Sequence, residues 1–238
     1  MNTLSLLNQK GGTGKTTSVV SLADLWAREY DVLAVDMDPQ ASLSRWIASP
    51  QSRCMSFLSG DMSAPDSAVG TEWGFDVVPS DRSLASLENR PVKKIVQRLE
   101  ELLSTAEKTY DVCLIDPPPS TGFLVVASLV VSDAVIAPVQ TGQGAIDGLT
   151  DTIRLIENLE SRFEGAFACK VDLRTVNDRE MPGILKENFG SQAFDTFIRN
   201  TVQVKEAEAE GTPPPSYSPD ATATEDYESL ANEIQERL

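Results

Sequence analysis

Short apolar runs alternate along this chain with longer stretches of helical periodicity. Runs rich in Val, Ile, Leu and Ala, each followed by polar residues, glycine or proline, predict strands buried on both faces, as in parallel sheets. The predicted strands are residues 3–8, 32–36, 75–79, 111–116, 134–139 and 165–171. The predicted helices are residues 15–30, 92–107, 145–162 and a C-terminal helix that begins at Ser216 or Thr222 and ends at Leu238. This alternation predicts an α/β fold with a doubly wound, mostly parallel sheet and helices on both faces.

Length and composition favour one domain. A chain of 238 residues can bury one large core, so we predict a single domain over residues 1–238. Ser, Pro, Gly and Asp residues in 51–71 predict a surface excursion, and residues 216–238 form a C-terminal helical segment.

Cysteine usage and the N-terminal segment bear on the cellular compartment. Cys54, Cys113 and Cys169 are far apart, and the chain has no histidine, which indicates small core residues in a reduced compartment. The first predicted strand leads directly into a polar loop without a signal-peptide pattern, and no apolar stretch approaches membrane-spanning length. We therefore expect a cytoplasmic protein.

The first predicted strand and helix are joined by a glycine-rich loop, residues 9–17, which reads QKGGTGKTT. Glycines in a strand-to-helix turn let backbone N–H groups converge on phosphate oxygens, while a lysine adds charge and a threonine hydroxyl can ligate Mg²⁺. This context predicts a P-loop NTPase. The predicted nucleotide-binding residues in the loop are Gly11, Gly12, Thr13, Gly14, Lys15, Thr16 and Thr17, with Thr16 also a metal ligand.

The loop departs from the common P-loop pattern at two positions. Gln9 stands where glycine is usual, and Lys10 adds a second lysine. Because Lys15 already occupies the position facing the loop's own phosphates, Lys10 is either a solvated loop lysine or a residue that reaches the nucleotide of a neighbouring subunit.

Carboxylates end two of the predicted buried strands. Asp36 ends the strand at 32–36, with Asp38 two residues beyond it, and Asp116 ends the strand at 111–116. Buried strands rarely end in unpaired charge, so these groups are expected to face a cation or activate water, although Asp-Pro pairs also mark turns. We predict that Asp116 holds Mg²⁺ through its water shell, that Asp38 orients the attacking water and that Asp36 supports the metal or the loop.

Residues 10–17, 35–40 and 114–118 together resemble the deviant Walker A ATPases of the ParA/MinD group, in particular the small ParA-type partition ATPases. Residues 195–200 and 205–213 extend the resemblance to nearly the whole chain. It implies ATP and Mg²⁺ as cofactors and an ATP-dependent homodimer in which Lys10 reaches the partner's nucleotide. Lys10, Lys15 and Asp38 would then be catalytic residues, and Asn200 and Pro213 would lie beside the adenine.

The same resemblance implies non-specific DNA as a partner, nucleoid association, and a ParB-like or cargo adaptor protein that stimulates an otherwise weak ATPase. The cargo would be a plasmid, a chromosome or a protein assembly. A net charge of −16 opposes DNA binding, so any contact must be local, and a two-fold dimer would present each basic residue twice. The candidate DNA contacts are Arg174, Arg179, Lys186, Arg199 and Lys205.

Two other function classes use the same kind of phosphate loop. A MinD-like membrane-cycling ATPase needs a basic amphipathic C-terminal helix, whereas residues 225–238 are acidic, so we predict no membrane partner. A metabolic P-loop ATPase carrying an iron–sulfur cluster needs closely placed cysteines, which this chain lacks in sequence.

Overall fold

One eight-stranded sheet runs through the molecule. The computed structural model describes residues 1–238, apart from the side chains of Glu88 and Asn89. The strands are β1 (Asn2–Leu6), β2 (Val32–Asp36), β3 (Val69–Gly70), β4 (Asp76–Val78), β5 (Val112–Asp116), β6 (Ala134–Gln140), β7 (Phe163–Val171) and β8 (Ile198–Arg199). Their order across the sheet is β3-β4-β2-β5-β1-β6-β7-β8, and β3 pairs antiparallel with β4 while the other pairs are parallel.

Helices cover both faces of this sheet. They are α1 (Lys15–Trp26), α2 (Ser42–Ile47), α3 (Arg53–Ser59), α4 (Ala64–Ser67), α5 (Val92–Ala106), α6 (Phe123–Val130), α7 (Ala145–Asn158), α8 (Val176–Phe189), α9 (Val202–Ala209), α10 (Pro214–Tyr217) and α11 (Thr222–Arg237). Two 3-10 helices lie at Arg82–Asn89 and Gly190–Gln192. The predicted fold class, a doubly wound and mostly parallel α/β sheet, is confirmed. No helix in the described chain is both long and apolar enough to cross a membrane.

Alternation along the central strands divides the core between the two faces. Leu114 of β5 packs with α1, α2 and α11, whereas its neighbours Cys113 and Ile115 pack with α3, α5 and α6. Likewise, Ile136 of β6 faces α1, and Val135 packs with α6, α7 and α8. Because side chains of a strand point alternately to opposite faces, these continuous apolar runs bury both of them.

Several elements that the sequence pattern missed lack a clear apolar period. Helix α6 is almost wholly apolar, FLVVASLV, so it has no polar face that would reveal a helix. Helix α8 contains Pro182 and Gly183, which weaken a helical pattern. Strand β8 has two residues and is defined by its pairing with β7.

The predicted surface excursion at 51–71 contributes to the core. It forms α3 and α4, and Cys54, Phe57 and Leu58 on one side of α3 are buried against β2 and α5. Arg98 of α5 stacks over the Phe57 ring at 4.4 Å and donates hydrogen bonds to the Phe57 carbonyl. The segment's polar composition reflects its outer side, while a few large apolar residues attach it to the domain.

Truncation of Phe57 tests this attachment. Phe57 is fully buried, so Phe57→Ala is expected to lower the free energy of unfolding by about 3–5 kcal/mol through reduced burial and a residual cavity. Asp61→Ala, on the exposed side of the same segment, should change it by less than about 0.5 kcal/mol. Urea denaturation of both variants measures the difference, and equal stabilities would show that α3 is not part of the core.

Candidate functional site

The loop between β1 and α1 adopts a backbone that requires glycine. Gly12 and Gly14 have φ of +77° and +100°, in the left-handed region. A Cβ at Gly14 would also lie 2.6 Å from the Cys169 sulfur, so this position excludes a side chain on two grounds. Helix α1 begins at the next residue, Lys15, so its N-terminal N–H groups face the loop. This is the strand–loop–helix geometry of a phosphate-binding site.

Lys15 is held inside the loop. Its side chain is nearly buried, and its ammonium donates a hydrogen bond of 3.1 Å to the carbonyl of Asn8. Burial lowers the pKa of Lys15, and the carboxylates of Asp116 and Asp38 oppose this shift. A buried cation so placed can pair with the phosphates of a nucleotide.

Asp36 and Asp116 lie opposite each other on neighbouring strands, since β2 and β5 pair with these two residues in register. The Thr16 hydroxyl donates to Asp116 Oδ2 at 2.7 Å, while buried Asp116 Oδ1 has no hydrogen-bond partner among the described residues. Burial and the neighbouring Asp36 carboxylate raise the pKa of Asp116 to about 8. A buried carboxylate oxygen without a donor, beside a threonine hydroxyl, fits the water shell of Mg²⁺.

Both carboxylate oxygens of Asp36 accept hydrogen bonds from other groups of the protein. Its Oδ2 accepts from the Ser44 backbone N–H at 2.9 Å and the Ser44 hydroxyl at 2.6 Å, and its Oδ1 accepts from the Asp38 N–H at 3.1 Å. Burial raises the pKa of Asp36 to about 6. Of the two predicted roles, this geometry favours support of the loop, because both oxygens are engaged; it does not favour a metal ligand.

Asp38 is placed by a network that begins at Asp36. The Ser44 hydroxyl accepts from the Ser80 N–H at 2.8 Å, and the Ser80 hydroxyl donates to the Asp38 carbonyl at 2.8 Å. The Asp38 side chain, which is partly exposed, accepts from the Gln40 N–H at 2.8 Å. Sequence reasoning did not include Ser44 and Ser80, which fix the backbone on which Asp38 stands.

A cavity of about 300 Å³ lies beside the phosphate loop and Asp38. It is lined by Gly12, Gly14, Lys15, Thr16, Thr17, Asp38, Gln40, Ser42, Trp46, Pro119, Lys170 and Glu208. An adjoining cavity of about 260 Å³ shares Thr17, Lys170 and Glu208 with it and contains Asn200. The pair of cavities can take a phosphate chain at one end and a base at the other.

Pro213 lines neither cavity. It is buried, and the neighbouring Thr212 carbonyl accepts from the Trp46 indole at 3.0 Å. The prediction that Pro213 lies beside the adenine is therefore not supported by its position, whereas Asn200 does face the second cavity. The prediction for Pro213 came from the family resemblance, and in this structure the proline is buried.

Lys10 is exposed at the rim of the loop. Its N–H donates to the Asn8 side chain at 3.0 Å, and a Cβ built at Gly142 would lie 3.1 Å from the Lys10 ammonium nitrogen. The side chain thus extends over the loop that follows β6, away from the buried position of Lys15. Thr13 is buried, and its hydroxyl faces the Lys10 carbonyl at 3.5 Å.

The five predicted DNA contacts do not form one uniform basic patch. Exposed Arg174 and Lys186 pair with Asp172 and Asp195 at 2.7 Å each. Arg199 is half-buried, and it makes paired hydrogen bonds to Asp226 and a contact to Glu225, which tie β8 to α11. No ion pair is present for Arg179 or Lys205 in the described part of the chain. Arg179 lies on α8, whereas Lys205 lies on α9 beside the second cavity.

The C-terminal helix also reaches the phosphate loop, which sequence reasoning missed. Tyr227 of α11 is fully buried, with its hydroxyl 3.1 Å from the Ser18 hydroxyl, and Ser18 donates to the Gly14 carbonyl at 2.8 Å. Burial raises the pKa of Tyr227 well above its usual value. The sequence predicted a helix over this segment but gave no information about this contact.

The loop, the buried lysine and the strand-end carboxylates define a P-loop nucleotide site, and comparison with known proteins places it in a family. The AAA domain family model matches residues 1–169. The chromosome partitioning protein ParA of Caulobacter vibrioides is 33% identical over 255 residues, covering 100% of this chain and 95% of that protein.

Solved structures share the fold. The ATP complex of a McdA variant from Cyanothece superposes with a TM-score of 0.87 at 19% identity, covering 99% of this chain and 96% of that one. Cobyrinic acid a,c-diamide synthase of Mycobacterium smegmatis, with a bound ATP analogue and magnesium, gives a TM-score of 0.82 at 24% identity, covering 99% and 94%. The chain therefore belongs to the AAA domain family as a P-loop ATPase of the ParA/MinD type, with ATP and Mg²⁺ as cofactors.

The raised pKa of Asp116 predicts a pH-dependent magnesium site. The carboxylate form binds the cation, and with a pKa of about 8 protons compete with Mg²⁺ over the neutral range. The affinity for Mg·ADP is expected to rise between about pH 6 and pH 9, and Asp116→Asn should lower it about 10- to 100-fold and flatten its pH profile. Titration with a fluorescent ADP analogue measures this, with the exposed Asp151→Asn as control; a wild-type profile in Asp116→Asn would exclude this role.

Proposed function

We propose that this chain is a partition or positioning ATPase that dimerises on ATP and binds DNA without sequence preference. The observation that carries the proposal is that Lys15, Thr16 and Asp38 line one cavity, with Asp116 bound to the Thr16 hydroxyl behind it. The similarity to Caulobacter ParA over the whole chain supports the same function. The cargo is a plasmid, a chromosome or a protein assembly, and the protein acts in the cytoplasm at the nucleoid.

In this proposal the residues of the nucleotide site have distinct roles. Lys15 and the loop N–H groups bind the phosphates, Thr16 and Asp116 hold Mg²⁺, and Asp38 orients the attacking water. Bound Mg²⁺ offsets charge that develops on the phosphates. Hydrolysis stays slow until a ParB-like or cargo adaptor protein completes the site.

A second copy of the chain is the proposed partner for the face around the loop. Lys10, Gly11 and Gly12 are exposed there. Leu173 and Val176, which follow β7, and Val202, which follows β8, expose 46%, 56% and 63% of their surface on the same edge of the sheet. Two phosphate loops brought face to face concentrate negative charge, which a lysine from each side would offset.

Mass measurement by light scattering tests the dimer. With ATP, Asp38→Ala is expected to give a persistent dimer, because nucleotide binding is kept while water orientation is abolished. Lys10→Ala in that background should return it to a monomer, whereas Lys108→Ala, an exposed lysine at the end of α5, should leave it a dimer. A monomeric Asp38→Ala protein, or normal dimerisation of the Lys10→Ala variant, would refute the role of Lys10 across subunits.

For DNA we propose a reduced contact set centred on α8. Arg179 is exposed. The ion pairs of Arg174 and Lys186 lie at the surface, where water screens them, so phosphate groups can replace them. Arg199 is removed from the set, because its ion pairs with Glu225 and Asp226 hold β8 against α11. Lys205 remains a candidate at the edge of the second cavity. Dimerisation would double this weak patch into one surface.

Salt-dependent binding of the Asp38→Ala dimer to non-specific duplex DNA tests the contacts. Removing one residue that neutralises a phosphate should reduce the slope of log affinity against log salt by about 0.9, so Arg179→Ala should reduce it by about 1.8 in a symmetric dimer. Arg28→Ala, an exposed arginine at the other end of α1, is the matched control. DNA binding that is absent, or unaffected by Arg179→Ala, contradicts the proposed surface.

Anionic vesicles serve as the competing ligand in the same salt series. Helix α11 carries many acidic residues, and this composition disfavours binding to an anionic membrane. They are Glu225, Asp226, Glu228, Glu233 and Glu236. Vesicle binding without DNA binding would favour the MinD-like function.

The three cysteines are all buried and lie in no metal-binding cluster among the described residues, so they give no support to an iron–sulfur ATPase.

A further inference from the structure

Lys170 stands at an irregularity between β7 and β8. Cys169 pairs with Ile198 and Val171 pairs with Arg199, and the register shifts between these two pairs. Lys170, between them, has a φ of +59°, in the left-handed region that non-glycine residues rarely adopt. Bulges next to binding sites re-aim a side chain, and strained backbone of this kind is retained where the surrounding structure uses it.

The re-aimed side chain reaches the phosphate loop. The Lys170 ammonium donates a hydrogen bond of 2.6 Å to the carbonyl of Gly12, 158 residues earlier in the chain. The side chain also passes the next glycine of the loop, since a Cβ at Gly14 would lie 3.8 Å from Lys170 Cε. Lys170 lines both cavities of the nucleotide site.

We infer that Lys170 is a positioning residue for the phosphate loop, acting through the peptide that joins Gly12 to Thr13. In a trans peptide the C=O and N–H groups point in opposite directions, so a bond that fixes the Gly12 carbonyl also fixes the direction of the Thr13 N–H. A loop whose N–H groups are held in place binds phosphate without first having to be ordered. The two lysines of the loop itself point elsewhere. Lys15 donates to the Asn8 carbonyl, and the Lys10 ammonium lies beside Gly142.

The charge of Lys170 is the competing explanation for any effect on binding. Glu208 lines the same two cavities and provides an opposite charge there. A role through charge would be felt most by the γ-phosphate, which ADP lacks, whereas a role through the loop affects ATP and ADP alike. The comparison of the two nucleotides therefore separates the two explanations.

The test uses the full chain without DNA, and it depends on ATP binding alone, so its failure is distinct from failure of the proposed DNA and cargo functions. Lys170→Met keeps the length of the side chain and removes its donors. We expect the affinities for Mg·ATP and Mg·ADP, measured with fluorescent analogues, each to fall about tenfold, as for removal of a hydrogen bond to a charged group. The exposed Lys108→Met is the control and should bind as wild type.

A second variant separates positioning from general stability. Lys170→Gly removes the same donor and relaxes the left-handed backbone, so its nucleotide affinity should fall about tenfold while its Tm stays equal to or above that of wild type. Wild-type affinity in Lys170→Met overturns the inference. So does a decrease confined to ATP, which would assign a direct γ-phosphate contact, and so does a Tm of Lys170→Gly that falls together with its affinity.

Discussion

Two buried carboxylates at the centre of the sheet set the conditions for the rest of the site. The parallel register of β2 and β5 places Asp36 directly beside Asp116. Burial of both charges would be costly without compensation, and the structure provides it from two directions. Ser44 and the backbone of Asp38 satisfy Asp36, while Thr16 and the charge of Lys15 face Asp116. The remaining oxygen of Asp116 has no protein donor, so its charge is compensated only when the nucleotide brings a metal cation.

Much of the central architecture could be predicted from sequence because it is local. The strand at Val32–Asp36 was predicted with the bounds observed, since an apolar run followed by Asp36 marks both the burial and the end of the strand. The loop glycines were likewise readable, because left-handed turns and close approach leave few other residues possible. Asp38 and Asp116 were found by the rule that parallel strands end at one edge of the sheet.

What escaped prediction depends on long-range partners. The strand-end rule, applied to β7, points to the segment that contains Lys170. No sequence signature marks a lysine as a bulge residue with positive φ, so the direction of its side chain could not be predicted. Arg199 and Arg174 were both predicted as DNA contacts, yet Arg199 is tied to α11 while Arg174 is exposed, because only the fold brings Asp226 to β8. Phe57 lies in a segment of mostly polar composition. That composition predicted a surface excursion, although a few of the segment's residues belong to the core.

The link between Tyr227 and Ser18 has a consequence for the order of events during synthesis. The two hydroxyls are separated by 209 residues, so the phosphate loop obtains this support only after α11, synthesised much later, has left the ribosome. Closure of such a distant contact is slow relative to local helix formation. A nascent chain therefore carries the nucleotide-binding sequence long before it carries a finished nucleotide site, and ATP can stabilise the finished chain but not its unfinished precursors.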